Sequence, residues 1–176
     1  MLEINKKIKE RFSIRKFKSD NIPDELIQEI LDNARWAPSG LNNQPWKFII
    51  IKDSQTKEEV AAQTHYSQII QNAPLCIAVF YDKKEGYNYV KDVQAIGAAI
   101  QNILLAIHNL NLGGVWLGEI LNKRQEVERI LNVPESFELM AVVALGYHTE
   151  KEAKRSRKPL SELVYLNKYD QKWIVS

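Results

Sequence analysis

The sequence holds a single cysteine, Cys76, so no disulfide framework can form within the chain, and a reducing compartment fits that usage. No apolar run nears the roughly 20 residues of a membrane span; "LCIAVF" at 75–80 is among the longest. The opening stretch, "MLEINKKIKER", is polar and amphipathic and has no apolar centre of the kind a secretory signal needs. Charge of one sign is scarce as well. The 24 Lys and Arg against 22 Asp and Glu leave a net charge of +2, too weak for a dedicated reader of nucleic acid. Internal repeats, low-complexity segments and dividing linkers are all missing. So are the Walker A, G-x-S-x-G and H-E-x-x-H signatures. His65, His108 and His148 lie too far apart for metal-ligand spacing. What remains is an expected cytoplasmic protein, one domain over residues 1–176, with no nucleic-acid or membrane partner and no metal.

Hydrophobic periodicity supplies the elements. Residues 2–10 form a short helix with an imperfect stripe of Leu2, Ile4 and Ile8. "NIPDELIQEILDNARWAP" is a stronger helix, started by Pro23, Asp24 and Glu25 and stopped by Pro38. "WKFIII" (46–51) and "LCIAVF" (75–80) are short buried strands, with weak helical character over 54–72 between them. The helix at 92–110 is apolar almost all round, which suits a core or a subunit interface. A short strand lies in 113–118, an amphipathic helix in "NKRQEVERILNVP" and a buried strand at 138–147. A basic loop, a short "PLSELV" helix and the aromatics Tyr165, Tyr169 and Trp173 complete the chain. Helices and strands mix without strict alternation, so the fold class is α+β.

Four features could carry chemistry. In "RFSIRKF" (11–17), an extended backbone would put Arg11, Ser13 and Arg15 on one face and Phe12 and Ile14 on the other. A half-buried edge strand with a solvated face is the plainer reading of the heptad taken alone. In "APSGLNNQPW" (37–46), Pro38 and Pro45 bracket a loop, Gly40 permits unusual backbone angles, and Ser39, Asn42, Asn43 and Gln44 offer donors and acceptors. A self-capped polar turn is the plainer reading. "NLGGVWLGE" (111–119) lacks the G-x-G-x-x-G spacing of a dinucleotide fingerprint, although its glycines could let backbone N–H groups approach a flat ligand. A helix cap by Gly113 before a buried strand is the simpler account. "KEAKRSRKP" (151–159) sets Arg155 and Arg157 around Ser156, and forked guanidiniums suit phosphate; a solvated basic loop is the commoner reading. His108 in its apolar helix and Cys76 in its strand are core residues first. A polar site without an evident acid, base or nucleophile borrows its chemistry from a cofactor.

Taken together, "RFSIRKF", "ARWAPSGLNNQPWKFIII", "LGGVWLGE" and "RSRKPLSELV" stand in the order and approximate spacing of the FMN-dependent nitroreductase family. The chain resembles the shorter members of that family across about residues 7–164. The resemblance implies a nitroreductase-like fold: a central mixed, mainly antiparallel sheet flanked by helices, in an intertwined homodimer with FMN at the interface. It implies that the C-terminal tail, 165–176, packs on the partner subunit. By the same resemblance, Arg11 and Ser13 face the ribityl phosphate and Arg15 the N1/O2 edge of the ring. Arg155 and Arg157 close on the phosphate. Pro38, Ser39, Gly40, Leu41 and Asn42 reach the isoalloxazine from the other subunit with Gln44 just behind, and Leu117, Gly118 and Glu119 offer a backbone amide to N5. The family's ring contacts within 63–72 find no clear counterpart.

The implied activity is reduction of nitroaromatic, quinone or similar acceptors by NADH or NADPH, in ping-pong hydride transfer through flavin N5, with no catalytic side chain of its own. Two alternatives stay open. One is a flavin-binding module for storage or sensing without turnover. The other is a specialised relative of dehalogenase, flavin-fragmenting or azoline-oxidising type. The acceptor and the preference between NADH and NADPH are not written in any motif.

Overall fold

The computed structural model describes residues 3–150 and 155–173. Leu2, residues 151–154 of the basic loop and residues 174–176 of the tail lie outside the described residues. In chain order the elements are α1 (Glu3–Glu10), α2 (Asp24–Arg35), β1 (Trp46–Ile51), α3 (Ser54–Ala61), α4 (Ser67–Asn72), β2 (Leu75–Asp82), α5 (Tyr89–Asn109), β3 (Gly113–Leu117), α6 (Arg124–Ile130) and β4 (Phe137–Gly146), with short 3₁₀ turns at Gly40–Asn42, Glu119–Lys123 and Leu160–Glu162.

The four strands make one sheet in the order β1-β2-β4-β3, and every neighbouring pair is antiparallel. The sheet is therefore less mixed than expected; among the described residues parallel pairing is confined to an isolated bridge between Ser13 and Gly114. β2 is central and buried along its whole length, as its unbroken apolar run requires. Period-two alternation splits the core between the two faces. Leu75, Ile77, Val79 and Tyr81 join α2 and α5 on one side. Cys76, Ala78 and Phe80 join α3, α4 and α6 on the other. Opposite Val79 and Phe80 the register slips by one residue at Met140. That bulge keeps Leu139 and Val142 on the same face despite their odd spacing.

α5 buries one face in the core, and its other face is open. Among the described residues it is the one helix long and apolar enough to cross a membrane, yet it packs along the sheet. α1 buries no residue, and its stripe residues Ile4 and Ile8 are exposed. Of residues 155–173, all but Val164 are exposed.

Two expectations change in detail. The weak helix at 54–72 is two helices, broken over 62–66. The left-handed turn after α5 falls to Asn111 (φ 58°), so Gly113 is no cap. Gly113 instead opens β3, where an added Cβ would lie 2.6 Å from Ile14 Cγ2. The glycine makes room for the 11–17 segment.

Candidate functional site

Residues 11–17 run extended beside β3. Ile14 N–H donates to the Gly114 carbonyl at 3.1 Å, and Lys18 N–H to that of Tyr147 at 2.8 Å. Ile14 is buried and pins the segment, while Arg11 and Ser13 are half-buried and Arg15 exposed. Ile14 is the inward anchor expected of the alternation and Arg15 faces out, whereas Phe12 is only half-buried and Arg11 lines the same cavity as Phe12 and Ile14.

Arg155 joins this edge from the far end of the chain. Its Nη1 donates to the carbonyls of Lys9 (2.7 Å), Glu10 (2.9 Å) and Arg11 (2.8 Å). These are the orphan acceptors at the end of α1, so the guanidinium caps that helix. It also stacks over Phe12, 5.5 Å from the ring centroid. Arg157 spends one donor on the Ser156 carbonyl. Burial, then the charges of Arg155 and Arg157, push the Arg11 pKa below its ordinary value, although arginine stays charged. Three cations therefore crowd one another. Among the described residues, none of Arg11, Arg15, Arg155 and Arg157 has a carboxylate in an ion pair. An arrangement of this kind gains from an anion.

Beside it, a cleft of about 240 Å³ brings Arg15 together with Leu117, Gly118 and Glu119. Tyr66 and Trp116 also line it, and neither was singled out from the sequence. Trp116 faces out because it alternates with the buried Val115 and Leu117 of β3. Tyr66 arrives through Glu119. The Glu119 carboxylate accepts from the Thr64 hydroxyl, from His65 N–H at 3.3 Å and from Asn122 Nδ2 at 3.3 Å. The Thr64 bond is the main cause holding the Glu119 carboxyl below its ordinary pKa. This long-range clamp sits within the break between α3 and α4.

The loop at 38–44 is tightly wound. Leu41, Asn42 and Gln44 all have positive φ (55°, 55° and 47°). Left-handed residues other than glycine cost about 1–3 kcal/mol each and need neighbours to hold them. Gln44 N–H donates to Ser39 Oγ at 3.0 Å, and Asn42 N–H to the Ser39 carbonyl at 3.1 Å. Gln44 Nε2 reaches the Asn42 carbonyl at 3.2 Å. Gly40 keeps a negative φ, so close approach is its reason: an added Cβ would fall 2.1 Å from the Tyr87 hydroxyl. Leu41 stands 86% exposed at the tip. Asn43 points inward, its Nδ2 donating to Asp92 Oδ1 at 2.8 Å and to the Glu85 carbonyl at 2.9 Å.

The structure unites Arg11, Ser13 and Arg155 on one edge and Arg15 with Leu117–Glu119 in one cleft, but it separates the Arg11 edge from the 38–44 loop. The loop shares a cavity of about 320 Å³ with Ala95 and Ala98, towards the start of α5. Arg11 shares one of about 330 Å³ with Leu104 and Ile107, towards its end. At a helical rise of ~1.5 Å, Ala95 and Ile107 stand roughly 18 Å apart along the axis.

The Nitroreductase family model matches residues 8–65 and 55–147. The chain belongs to the nitroreductase family. A provisionally named NADH dehydrogenase/NAD(P)H nitroreductase of Archaeoglobus fulgidus is 39% identical over 152 residues, 84% of this nitroreductase-family chain and 86% of the relative. An NADPH-flavin oxidoreductase of Vibrio harveyi is 28% identical over 171 residues, covering 90% of this chain and 71% of that one. Among solved structures, a provisionally named nitroreductase from Desulfovibrio desulfuricans, in complex with FMN, superposes with a TM-score of 0.90 at 41% identity, over 96% of this chain and 99% of that one. The α+β, nitroreductase-like fold expected from the motifs is thereby established.

Proposed function

We propose that this nitroreductase-family chain is an FMN-dependent oxidoreductase in which NADH or NADPH reduces nitroaromatic, quinone or similar small-molecule acceptors. The observation that carries the reading is the cationic edge made by Arg11, Arg155 and Arg157, which has no ion pair to a carboxylate among the described residues. The phosphate of FMN has close to two negative charges at pH 7 and three strong acceptor oxygens, which fits that edge. The NAD(P)H- and flavin-linked names of its relatives, and the FMN in its Desulfovibrio counterpart, support the same conclusion.

In this reading Arg11 and Ser13 hold the phosphate and Arg157 closes over it. Arg155 contributes charge and also fixes the end of α1 against the edge. Arg15, in the cleft with Leu117–Glu119, supplies a cation beside the N1/O2 edge of the ring, where preorganised positive charge favours the reduced state. The backbone of Gly118 and Glu119 offers a donor to the ring, and Tyr66 and Trp116 wall the cleft. When bound, FMN supplies the hydride chemistry between nicotinamide and acceptor. The chain's own task is to bind, orient and exclude.

The active form is a homodimer, and the whole chain acts as one domain in the cytoplasm. The separation of the 38–44 loop from the cationic edge supports two copies, since one chain does not bring both to a single ring. Pro38, Ser39, Gly40, Leu41 and Asn42, with Gln44 behind them, then come from the second subunit. The exposed tail aromatics Tyr165, Tyr169 and Trp173 pack on that subunit too.

The test is spectroscopic. Stripped protein given FMN turns yellow, NADH or NADPH bleaches it under anaerobic conditions, and a nitroaromatic or quinone restores the colour. Protein that takes up no FMN sinks the reading. Bleaching that no acceptor reverses would instead make the chain a flavin carrier.

A further inference from the structure

Asp92 is fully buried in the first turn of α5, and its carboxylate is occupied from three directions. Oδ1 accepts from Asn43 Nδ2 at 2.8 Å. Oδ2 accepts from the N–H groups of Tyr87 and Asn88, each at 2.9 Å, and from the Tyr81 hydroxyl at 3.3 Å. Burial alone would raise the Asp92 pKa. The Asn43 amide and the Asn88, Tyr87 and Tyr81 donors outweigh it and keep the carboxyl below its ordinary value. The buried charge is thus held by its donors and holds them in turn.

Two of those donors belong to the two segments that line one cavity. Asn43 lies within the 38–44 loop, whose three left-handed residues need an external anchor. Tyr87 lies in the 83–88 connection, and its ring crosses directly over Gly40. Asn43 Nδ2 also donates to Glu85 O at 2.9 Å, so the amide stitches one wall to the other. Between the walls is the cavity of about 320 Å³ lined by Pro38, Ser39, Gly40, Tyr87 and Lys91. Tyr81 is different. It sits on β2 and packs against Gly86 of the 83–88 connection, but it does not line the cavity and has no bond to the 38–44 loop.

We infer that Asp92 is a positioning residue for the cofactor site, and that it acts through Asn43 to preset the loop that a second subunit presents to the flavin. The inference rests on the FMN reading above. Asp92 touches neither the ring nor the acceptor; it fixes the backbone from which Leu41 and Asn42 project. Tyr87, steered by the same carboxylate and seated on Gly40, is set as the neighbouring wall of the acceptor space.

Two single variants separate positioning from bulk stability. Asn43→Ala removes the link from the carboxylate to the loop and leaves the Tyr81, Tyr87 and Asn88 bonds in place. Tyr81→Phe removes a donor from the same carboxylate and leaves the Asn43 bonds to Asp92 and to the Glu85 carbonyl in place. The readouts are FMN dissociation constant, the absorption spectrum of bound flavin, kcat and KM for a quinone acceptor, and Tm. Asn43→Ala is expected to weaken FMN binding roughly tenfold, the scale of one charge-assisted hydrogen bond, to shift the flavin band and to raise KM. Tyr81→Phe is expected to lower Tm with unchanged FMN affinity and spectrum. Asn43→Ala with wild-type affinity and spectrum overturns the inference. So does a loss of affinity in both variants that simply tracks their Tm. Wild-type protein that binds no FMN overturns the underlying reading as well, so the two failures are distinguishable.

Discussion

The guanidinium of Arg155 donates to the carbonyl of Arg11 at 2.8 Å, joining residues 144 positions apart in the sequence. The contact makes one structure of the two ends of the chain, and it gives Arg155 a double character. It closes the last turn of α1 through three carbonyls, and it raises the positive potential at Arg11.

Arg155→Ala should therefore act on two measurements at once. Loss of the α1 cap lowers stability by about 1 kcal/mol, read as a drop in Tm. Loss of the cation weakens FMN binding severalfold, read by fluorescence titration. Arg157→Ala should show the second effect without the first, because its Nη1 bond is to the adjacent Ser156 carbonyl.

Gly113→Ala and Gly118→Ala form a contrasting pair in the same nine-residue motif. At Gly113 a new Cβ lies 2.6 Å from Ile14 Cγ2 and 2.8 Å from His148 Cδ2, whereas at Gly118 the nearest atom is 3.9 Å away. Overpacking at Gly113 should cost about 1–3 kcal/mol and lift the 11–17 edge, reducing flavin retention. Gly118→Ala should melt near the wild-type temperature. Denaturant unfolding of the two variants checks the order.

Asp92 gives a signed pH dependence. Its folded-state pKa is depressed, so its stabilisation is present above the unfolded carboxylate value of about 3.9 and is lost as pH falls through the lower folded value. Asp92→Asn should cost about 2 kcal/mol at pH 7, where an N–H donor would lose its charged acceptor. The gap between variant and wild type should narrow below about pH 4. Urea melts at pH 7, 5 and 3.5 test this; a gap that is constant or widens on acidification contradicts it.

Much of this was legible before any coordinates. The strand at 46–51 has the bounds expected of it, and "LCIAVF" is the central strand that its unbroken burial implies. The paired motifs 11–17 and 37–46 pointed to the family, which the matches bear out. Local pattern failed where long-range contacts decide. Nothing near Thr64 announces its bond to Glu119, 55 residues on, within the break between α3 and α4. Gly113 has the composition of a cap, but Asn111 takes the left-handed turn, leaving Gly113 to meet Ile14. Asp92 stands in no motif of the sequence, and only its burial and four donors distinguish it. The start of α5 at Tyr89 was available in principle, because Asn88 is a side-chain N-cap accepting from Lys91 N–H at 3.2 Å.

The central claim is a flavin site assembled from two chains, with the cationic edge of one and the 38–44 loop of the other. It is tested most directly by co-expressing two differently tagged variants and isolating the mixed dimer. One variant carries Arg11→Ala with Arg15→Ala; the other carries Ser39→Ala, Leu41→Ala and Asn42→Ala. Each alone should purify folded and free of FMN. The mixed dimer should regain one FMN, half the wild-type content, because it holds one intact edge facing one intact loop. A mixed dimer as colourless as its parents would contradict the account.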